Sequence, residues 1–591
     1  MGSIPAQKKK PTPVFLFAHG STMMLGEESE PARIWESIGN ECLRRGVKRI
    51  VMMGAHWDSP YDTVRVSMNP DAKKDPVGSV TEARYMPYKM VADLEGGQRV
   101  KDAAPFGDKT YPVIATYGPY GKDVRYEVFY KKSWEQLNPN MKSTHAAWET
   151  PDPAYWTSKG YIVLRVDERG AGQSPGLLDT MSRGTSEAFF DVIEWAAEQE
   201  WSSGKVGLLG ISYYAGTQWR VAARKPKGLA AIIPWEGMSD YYRDRVRHGG
   251  ILSDRFIDFW WNNGVSPNQY GKPGRSARNW GEDTLEGDLD DETLLENRRD
   301  QTIDTAVHKF RDEEYYRTRD FDVEAIEVPL LSVANWGGIL LHLRGNVLGW
   351  IRASSKYKFL HFIVGRHDLP FYYPESAELQ LSFFNSFLKD DDTDGWKSGK
   401  QPRVRLTLRK GEAGTSSTLE ITGHIVAHLT VAATRKSVDA TPPSDIDLFI
   451  TLRKINAKGA EVFYTGTMGD PVPIVKGWQR VSLRKVDESN KLHKEYLPYR
   501  NYYSSDVQPV EENQKYKVDV EVWPTNVVLE PEETLVLEIA GHDTQGVGKF
   551  SHEHPDDRDP KTFDDRRNSR LLVQLDKYIM PKSILMSKNH P

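Results

Sequence analysis

The 591-residue chain reads as an α/β protein with a mostly parallel sheet, followed by an antiparallel β-sandwich of jelly-roll type. Three observations predict this. Apolar runs of strand length alternate with amphipathic helical stretches between about residues 111 and 390. A charged and aromatic insert at 240–325 interrupts them without strand alternation, which suits a helical cap over the C-terminal edge of the sheet. From about 401 the chain changes to short strand-like segments separated by Gly, Pro, Asn and Asp.

In chain order, residues 13–57 predict one β-α-β unit. An apolar strand ends at Gly20, a helix within 28–47 carries Ile34, Ile38, Cys42 and Leu43 at helical spacing, and a second apolar strand runs from Arg49 to Trp57. Parallel strands joined by a helix end at the same edge of a sheet, so His19 and His56 are expected side by side. Residues 68–110 are polar and rich in Pro, Gly, Lys and Asp, as in a junction. Six core strands are then predicted at 111–116, 161–166, 206–209, 229–233, 329–334 and 359–364, with helices at 186–200 and 376–389. The acidic run Asp390 to Asp394 reads as a solvated linker. Three domains result: a partial α/β segment and junction (1–107), an α/β core with its cap (108–400) and a β-sandwich (401–591).

Composition narrows the function classes. With 78 Lys and Arg against 83 Asp and Glu, the formal charge of −5 argues against a nucleic-acid or anionic-membrane binder. The single cysteine, Cys42, excludes an intramolecular disulfide and any zinc site built on several thiolates. The apolar run Val14 to Ala18 is shorter than a signal-peptide core, and no stretch approaches the ~18 apolar residues of a membrane span. A cytoplasmic protein is expected.

The chemistry is carried by Val206-Gly-Leu-Leu-Gly-Ile-Ser-Tyr-Tyr-Ala-Gly216, which puts Ser212 between an apolar strand and a helix. A serine on so sharp a turn is pushed out of the sheet with a helix N-terminus behind it, although Tyr214 stands where the strict G-x-S-x-G pattern has glycine. The alternative for the motif alone is a serine that caps the helix. A hydroxyl nucleophile needs a base, and His367, in Gly365-Arg-His-Asp368 after the last core strand, has the chain position for it. Glu236 ends the strand that follows the nucleophile helix, at the same sheet edge, from which a carboxylate can reach that histidine. Asp368 and Asp240 are further candidates for the acid.

Residues 209–244 resemble the nucleophile segment of the cocaine esterase and Xaa-Pro dipeptidyl-peptidase family of α/β hydrolases. The resemblance extends over about 108–580 and includes Tyr117-Gly-Pro-Tyr-Gly-Lys-Asp123, Asp167-Glu-Arg-Gly-Ala-Gly-Gln-Ser174, Pro329 to Gly345 and Val522-Trp-Pro-Thr525. It implies an α/β-hydrolase core with helical cap and C-terminal jelly-roll, and a serine hydrolase cleaving an ester, amide or peptide bond of a small-molecule substrate without a cofactor. The resemblance also implies an oxyanion hole formed by the backbone N–H of Tyr213 and the hydroxyl of Tyr120. The family's acid, in a Trp-x-Asp context, is replaced here: the text is Asn335-Trp-Gly-Gly338. The cap aromatics Phe259, Trp260 and Trp261 point to an apolar or aromatic substrate group. The His552–His554 stretch reads as a surface turn.

Phe15 to Glu27 and Ile50 to Trp57 resemble the start of the extradiol ring-cleaving dioxygenases of the DOPA type, whose matching histidines, His19 and His56 here, are ligands of Fe(II) or Zn(II). A metal-dependent aromatic dioxygenase is therefore one alternative to the hydrolase. A catalytically inactive binding protein is the other.

Overall fold

The computed structural model describes residues 30–44, 109–409, 419–558 and 569–579. The chain divides into two compact units, Met1–Lys109 and Thr110–Pro591. In the first unit the described element is helix α1, Glu30–Arg44, within the predicted 28–47. The two strands expected around it, the pair His19 and His56 and the predicted junction lie outside the described residues, apart from the junction's last two positions.

The second unit opens with strand β1, Tyr111–Gly118, followed by β2, Ile162–Asp167, helix α2, Arg183–Glu198, and strand β3, Ser202–Ile211. Helix α3, Tyr213–Ala222, leads into β4, Leu229–Trp235. After the cap come β5, Leu330–Asn335, α4, Leu343–Arg352, β6, Lys358–Ile363, α5, Pro374–Leu388, and the short β7, Val404–Arg405. The sheet order is β2-β1-β3-β4-β5-β6-β7, and every pairing is parallel. Parallel strands buried on both faces need near-continuous apolar runs, and Val113–Ala115, Leu208–Leu209 and Ala231–Ile233 are almost fully excluded from solvent. One face carries Trp219 of α3 and Phe189 of α2, and the other Phe383 and Phe384 of α5. All six predicted strands are present, and their C-terminal ends share one edge.

The insert at 240–325 covers that edge with short helices and one β-hairpin, Arg247–His248 against Ile251–Leu252. Its longest helical stretches, Asp254–Trp260 and Gln301–Val307, have seven residues each.

Beyond β7 the chain forms an antiparallel β domain. Its strands are β8, Leu419–Arg435, β9, Asp447–Ile455, β10, Val475–Arg480, β11, Tyr516–Leu529, β12, Thr534–Ala540, and β13, Ser569–Ile579. They run in the order β9-β10-β11-β8-β13, with β12 paired to β9. A separate hairpin pairs Tyr464–Thr465 with Pro471–Val472. The core and the β domain are one compact unit: Phe256 of the cap stacks on Phe550 at 4.6 Å, and His248 lies 4.6 Å from the Trp478 ring. The segment expected as a surface turn is part of this junction. His552 is buried, its Nε2 3.0 Å from His248 Nδ1 and its Nδ1 3.1 Å from Asp543, because the segment is drawn under the cap hairpin.

Candidate active site

Ser212 occupies the single residue between β3 and α3, with φ 60° and ψ −111°. A side chain there costs about 1–3 kcal/mol of backbone strain, held by the surrounding structure. Its N–H donates to Trp235 O on β4 (3.0 Å), and the neighbouring Ile211 N–H to Glu149 O (3.1 Å). Gly210 is small for a geometric reason: a β-carbon there would lie 2.6 Å from that of Tyr214. Glu149 (φ 62°) and Glu236 (φ 47°) share the left-handed backbone region with Ser212, so three strained non-glycine residues meet at this sheet edge.

The imidazole on the serine is not the one expected. Ser212 Oγ is 3.1 Å from Nε2 of His342, which immediately precedes α4, whereas no hydrogen bond joins it to His367. His367 is instead turned toward two carboxylates. Its Nδ1 is 2.8 Å from Glu236 Oε2, the contact anticipated for an acid on β4. Its Nε2 is 3.1 Å from Glu149 Oε1, an ion-pair distance without hydrogen-bond alignment, since both Glu149 oxygens lack a hydrogen-bond partner among the described residues. The two imidazoles lie face to face, centroids 5.1 Å apart and planes 10° from parallel.

Charge follows this arrangement. Burial alone would push the His367 imidazolium down, but Glu236 and Glu149 outweigh it and hold the pKa up to about 10. Burial pushes Glu149 up to about 7 against the pull of His367, and raises Glu236 as well. His342 moves the other way, well below the ordinary histidine value, through burial and the neighbouring His367 and Arg245 charges. At neutral pH His342 is therefore the uncharged one of the two imidazoles. Its Nδ1 is buried without a hydrogen-bond partner among the described residues.

Asn335, the last residue of β5, ties these groups together. Its amide donates to Glu236 Oε1 (3.0 Å) and to Gly365 O (2.8 Å), and its Oδ1 accepts from Gly337 N (2.9 Å). Asp368 and Asp240 are engaged elsewhere, the first with Arg366 and Ser133, the second with Arg243.

Tyr120 is 3% exposed and sits among the rings of Trp148, Tyr213, Tyr214 and Trp260. Its oxygen accepts from Trp260 Nε1 at 2.8 Å, and burial, reinforced by Glu149, raises its pKa well above 10, so the phenol keeps its proton to donate. Asp167 fixes the preceding loop by accepting from Lys122 N (2.5 Å) and Gln173 N (2.8 Å), while Asn268 of the cap donates to Pro119 O (2.7 Å). Tyr213 opens α3, where a backbone N–H has no intrahelical acceptor. Its phenol points away and accepts from Met181 N.

Ser212, His342, His367, Glu149 and Tyr120 line one cavity of about 350 Å³. Phe259 and Trp260 contribute to its wall, whereas Trp261 is a core residue and does not. Among the described residues no group of three or more His, Cys, Asp or Glu is placed to hold a metal.

Residues 101–367 match the profile of the X-Pro dipeptidyl-peptidase (S15 family), and 401–590 that of the X-Pro dipeptidyl-peptidase C-terminal non-catalytic domain. Both matched segments are therefore similar to X-Pro dipeptidyl-peptidases, the first to their S15 family. A cocaine esterase of Rhodococcus sp. (strain MB1 Bresler) is 31% identical over 157 residues, 26% of this chain and 24% of that protein. A putative Xaa-Pro dipeptidyl-peptidase of Bacillus anthracis is 30% identical over 193 residues, 30% of this chain and 32% of that one. The chain thus spans about a quarter to a third of the length of these curated relatives. A solved structure of a CocE/NonD family hydrolase from Staphylococcus aureus is 26% identical with a TM-score of 0.63, over 80% of this chain and 88% of its own.

His342, Glu149 and Asn335 are the site residues that sequence reasoning missed. His342 and Asn335 carried a usable signal, since Asn335 ends β5 and His342 lies in the stretch after it, at the sheet edge that Ser212 and His367 share. Glu149 carried none: it sits in a loop ahead of β2, held there by Ile211.

Proposed function

We propose that this chain cleaves an ester or amide bond through an acyl-enzyme on Ser212, with His342 as the base. The observation that carries the reading is the 3.1 Å contact between Ser212 Oγ, on its strained turn, and Nε2 of an uncharged His342 inside the cavity. Ser212 Oγ attacks the carbonyl carbon as its proton passes to His342 Nε2. The tetrahedral oxyanion takes hydrogen bonds from Tyr213 N–H and Tyr120 O–H. As the C–O or C–N bond breaks, His342 returns the proton to the leaving group, and water repeats the sequence to release the acid. With Glu149 ionised, Glu236 and Glu149 exceed the stacked His367 by one negative charge. That excess balances the imidazolium forming on His342, so the two glutamates act on the base through a second histidine rather than directly.

A second reading has a specific observation in its favour. The His367–Glu236 contact is that of a base and its orienting acid, which would make His367 the base once it loses its proton and leaves Glu149. The aromatic walls support an apolar acyl or leaving group. The test of the function is a fluorophosphonate probe on wild-type protein and Ser212→Ala, with the modified residue found by mass spectrometry. Labelling at Ser212 that vanishes in the variant is the expected result. A folded protein that takes no label would point to the inactive binding protein instead.

A further inference from the structure

The residue after Trp336 is pressed against a distant part of the chain. At Gly337 a β-carbon would lie 2.1 Å from Thr465 O and 3.3 Å from Gly466 Cα. Both atoms belong to the Tyr464–Val472 hairpin of the β domain. The next residue of that hairpin grips both sides of the site: Thr467 O accepts from His367 N (3.0 Å), and Thr467 Oγ1 donates to Gly337 O (3.2 Å). Two residues on, a β-carbon at Gly469 would lie 3.0 Å from Arg366 Cδ, beside the same histidine. Thr467 and Met468 also line the cavity.

We propose that this hairpin, reaching in from the domain whose family profile is non-catalytic, positions His367, with Thr467 as the positioning residue and Gly337 as the gap that admits it. The hairpin backbone lies against Gly337, and the carboxylate at His367 Nδ1 comes from the end of β4 as Glu236. With His342 as the base, His367 is held at three points, Glu236 at Nδ1, Glu149 at Nε2 and Thr467 at its backbone N–H; with His367 as the base, the Glu149 contact is given up and the other two remain. The glutamates set its charge. Thr467 sets where the ring stands relative to His342.

This proposal rests on the reading of Ser212 as an activated nucleophile, and the experiment separates the two. Wild type, Gly337→Ala, Thr467→Val and Thr467→Ser are compared for rate of fluorophosphonate labelling at Ser212, for kcat and KM on an aromatic ester series, and for Tm. Gly337→Ala must push the hairpin off, and Thr467→Val keeps the volume but loses the bond to Gly337 O. Both are expected to lower kcat and the labelling rate by about 10-fold or more at nearly unchanged KM, the scale of a misplaced catalytic group. Thr467→Ser, which keeps the hydroxyl, is expected to stay within about two-fold of wild type. Folded Gly337→Ala and Thr467→Val proteins with wild-type kcat would overturn the proposal, as would a loss confined to KM. If Gly337→Ala does not fold, the Val and Ser pair decides alone. An unlabelled wild type overturns the reading of Ser212, and the positioning role with it.

Discussion

At the scale of single residues, the site is a problem of charge. A buried imidazolium between two carboxylates is stable, and burial together with the like charge of that imidazolium keeps the imidazole stacked on it neutral. The two readings of the base therefore differ in pH dependence. With His342 as base, the ionisation that matters is Glu149, which is neutral below about pH 7 and supplies the balancing charge above it. kcat/KM is then expected to rise through about pH 7 and level off, and Glu149→Gln to remove that rise and leave a lower, flatter profile. With His367 as base, activity requires the loss of a proton held to about pH 10, and kcat/KM would climb steadily into the alkaline range. A pH–rate profile from 5 to 10.5 on the wild type and Glu149→Gln distinguishes them. The places of Ser212 and Glu236 at strand ends were legible from the apolar runs before them, whereas Tyr120 was implied by the resemblance alone. The exchange of His367 for His342 was not legible, since chain order cannot tell which of two imidazoles at neighbouring strand ends turns toward the serine. That choice is made by Glu149, which reaches the site from a loop with no periodicity to betray it.

At the scale of elements, one turn and one loop place the Tyr213 N–H and the Tyr120 hydroxyl that are proposed to hold the oxyanion. The turn is legible as apolar strand, small residue, serine and helix, and the structure adds why Gly210 has no side chain. The Tyr120 loop is held from outside itself, by Asp167 at the end of β2 and by Asn268 of the cap, contacts between residues 45 and 149 positions apart that no local pattern announces. Tyr120→Phe keeps the ring packing and removes the donor. A loss of roughly 10²- to 10³-fold in kcat is expected, with little change in Tm. Steady-state kinetics beside a thermal melt would check this, and a variant with wild-type kcat would remove Tyr120 from the oxyanion hole. The cap was legible as an insert, but its hairpin was not, because Arg247 and His248 are buried between the cap's own Thr305, His308 and Asp244 and the distant Asp557 and His552 of the β domain.

At the scale of the whole molecule, the core and the β domain are joined by a buried ionic network. Asp557 accepts from Arg247 of the cap hairpin (2.6 Å), from Arg480 of β10 (3.0 Å) and from Leu252 N (3.0 Å). Asp447 of β9 pairs with Arg480 and with Arg558. Removing one charge from such a network leaves its partners buried and uncompensated. Asp557→Asn is therefore expected to destabilise the protein by about 3–5 kcal/mol, measured by denaturant unfolding followed through tryptophan fluorescence. A change below about 1 kcal/mol would show that the arginines find other partners. The two-part architecture was legible from the change of texture near residue 401, but the merging of the parts into one compact unit was not. Sequence texture reports the period of each element, whereas the junction depends on single charged residues some three hundred positions apart.

The Thr467 carbonyl that receives the His367 N–H lies a hundred residues downstream of it, and Phe550, another wall of the cavity, lies further still. During synthesis on a ribosome, Ser212 and its turn emerge and can fold long before either of these exists. The nascent core would carry Ser212 for some three hundred residues of further synthesis before the wall containing Phe550 exists, so closure of the cavity waits on the β domain.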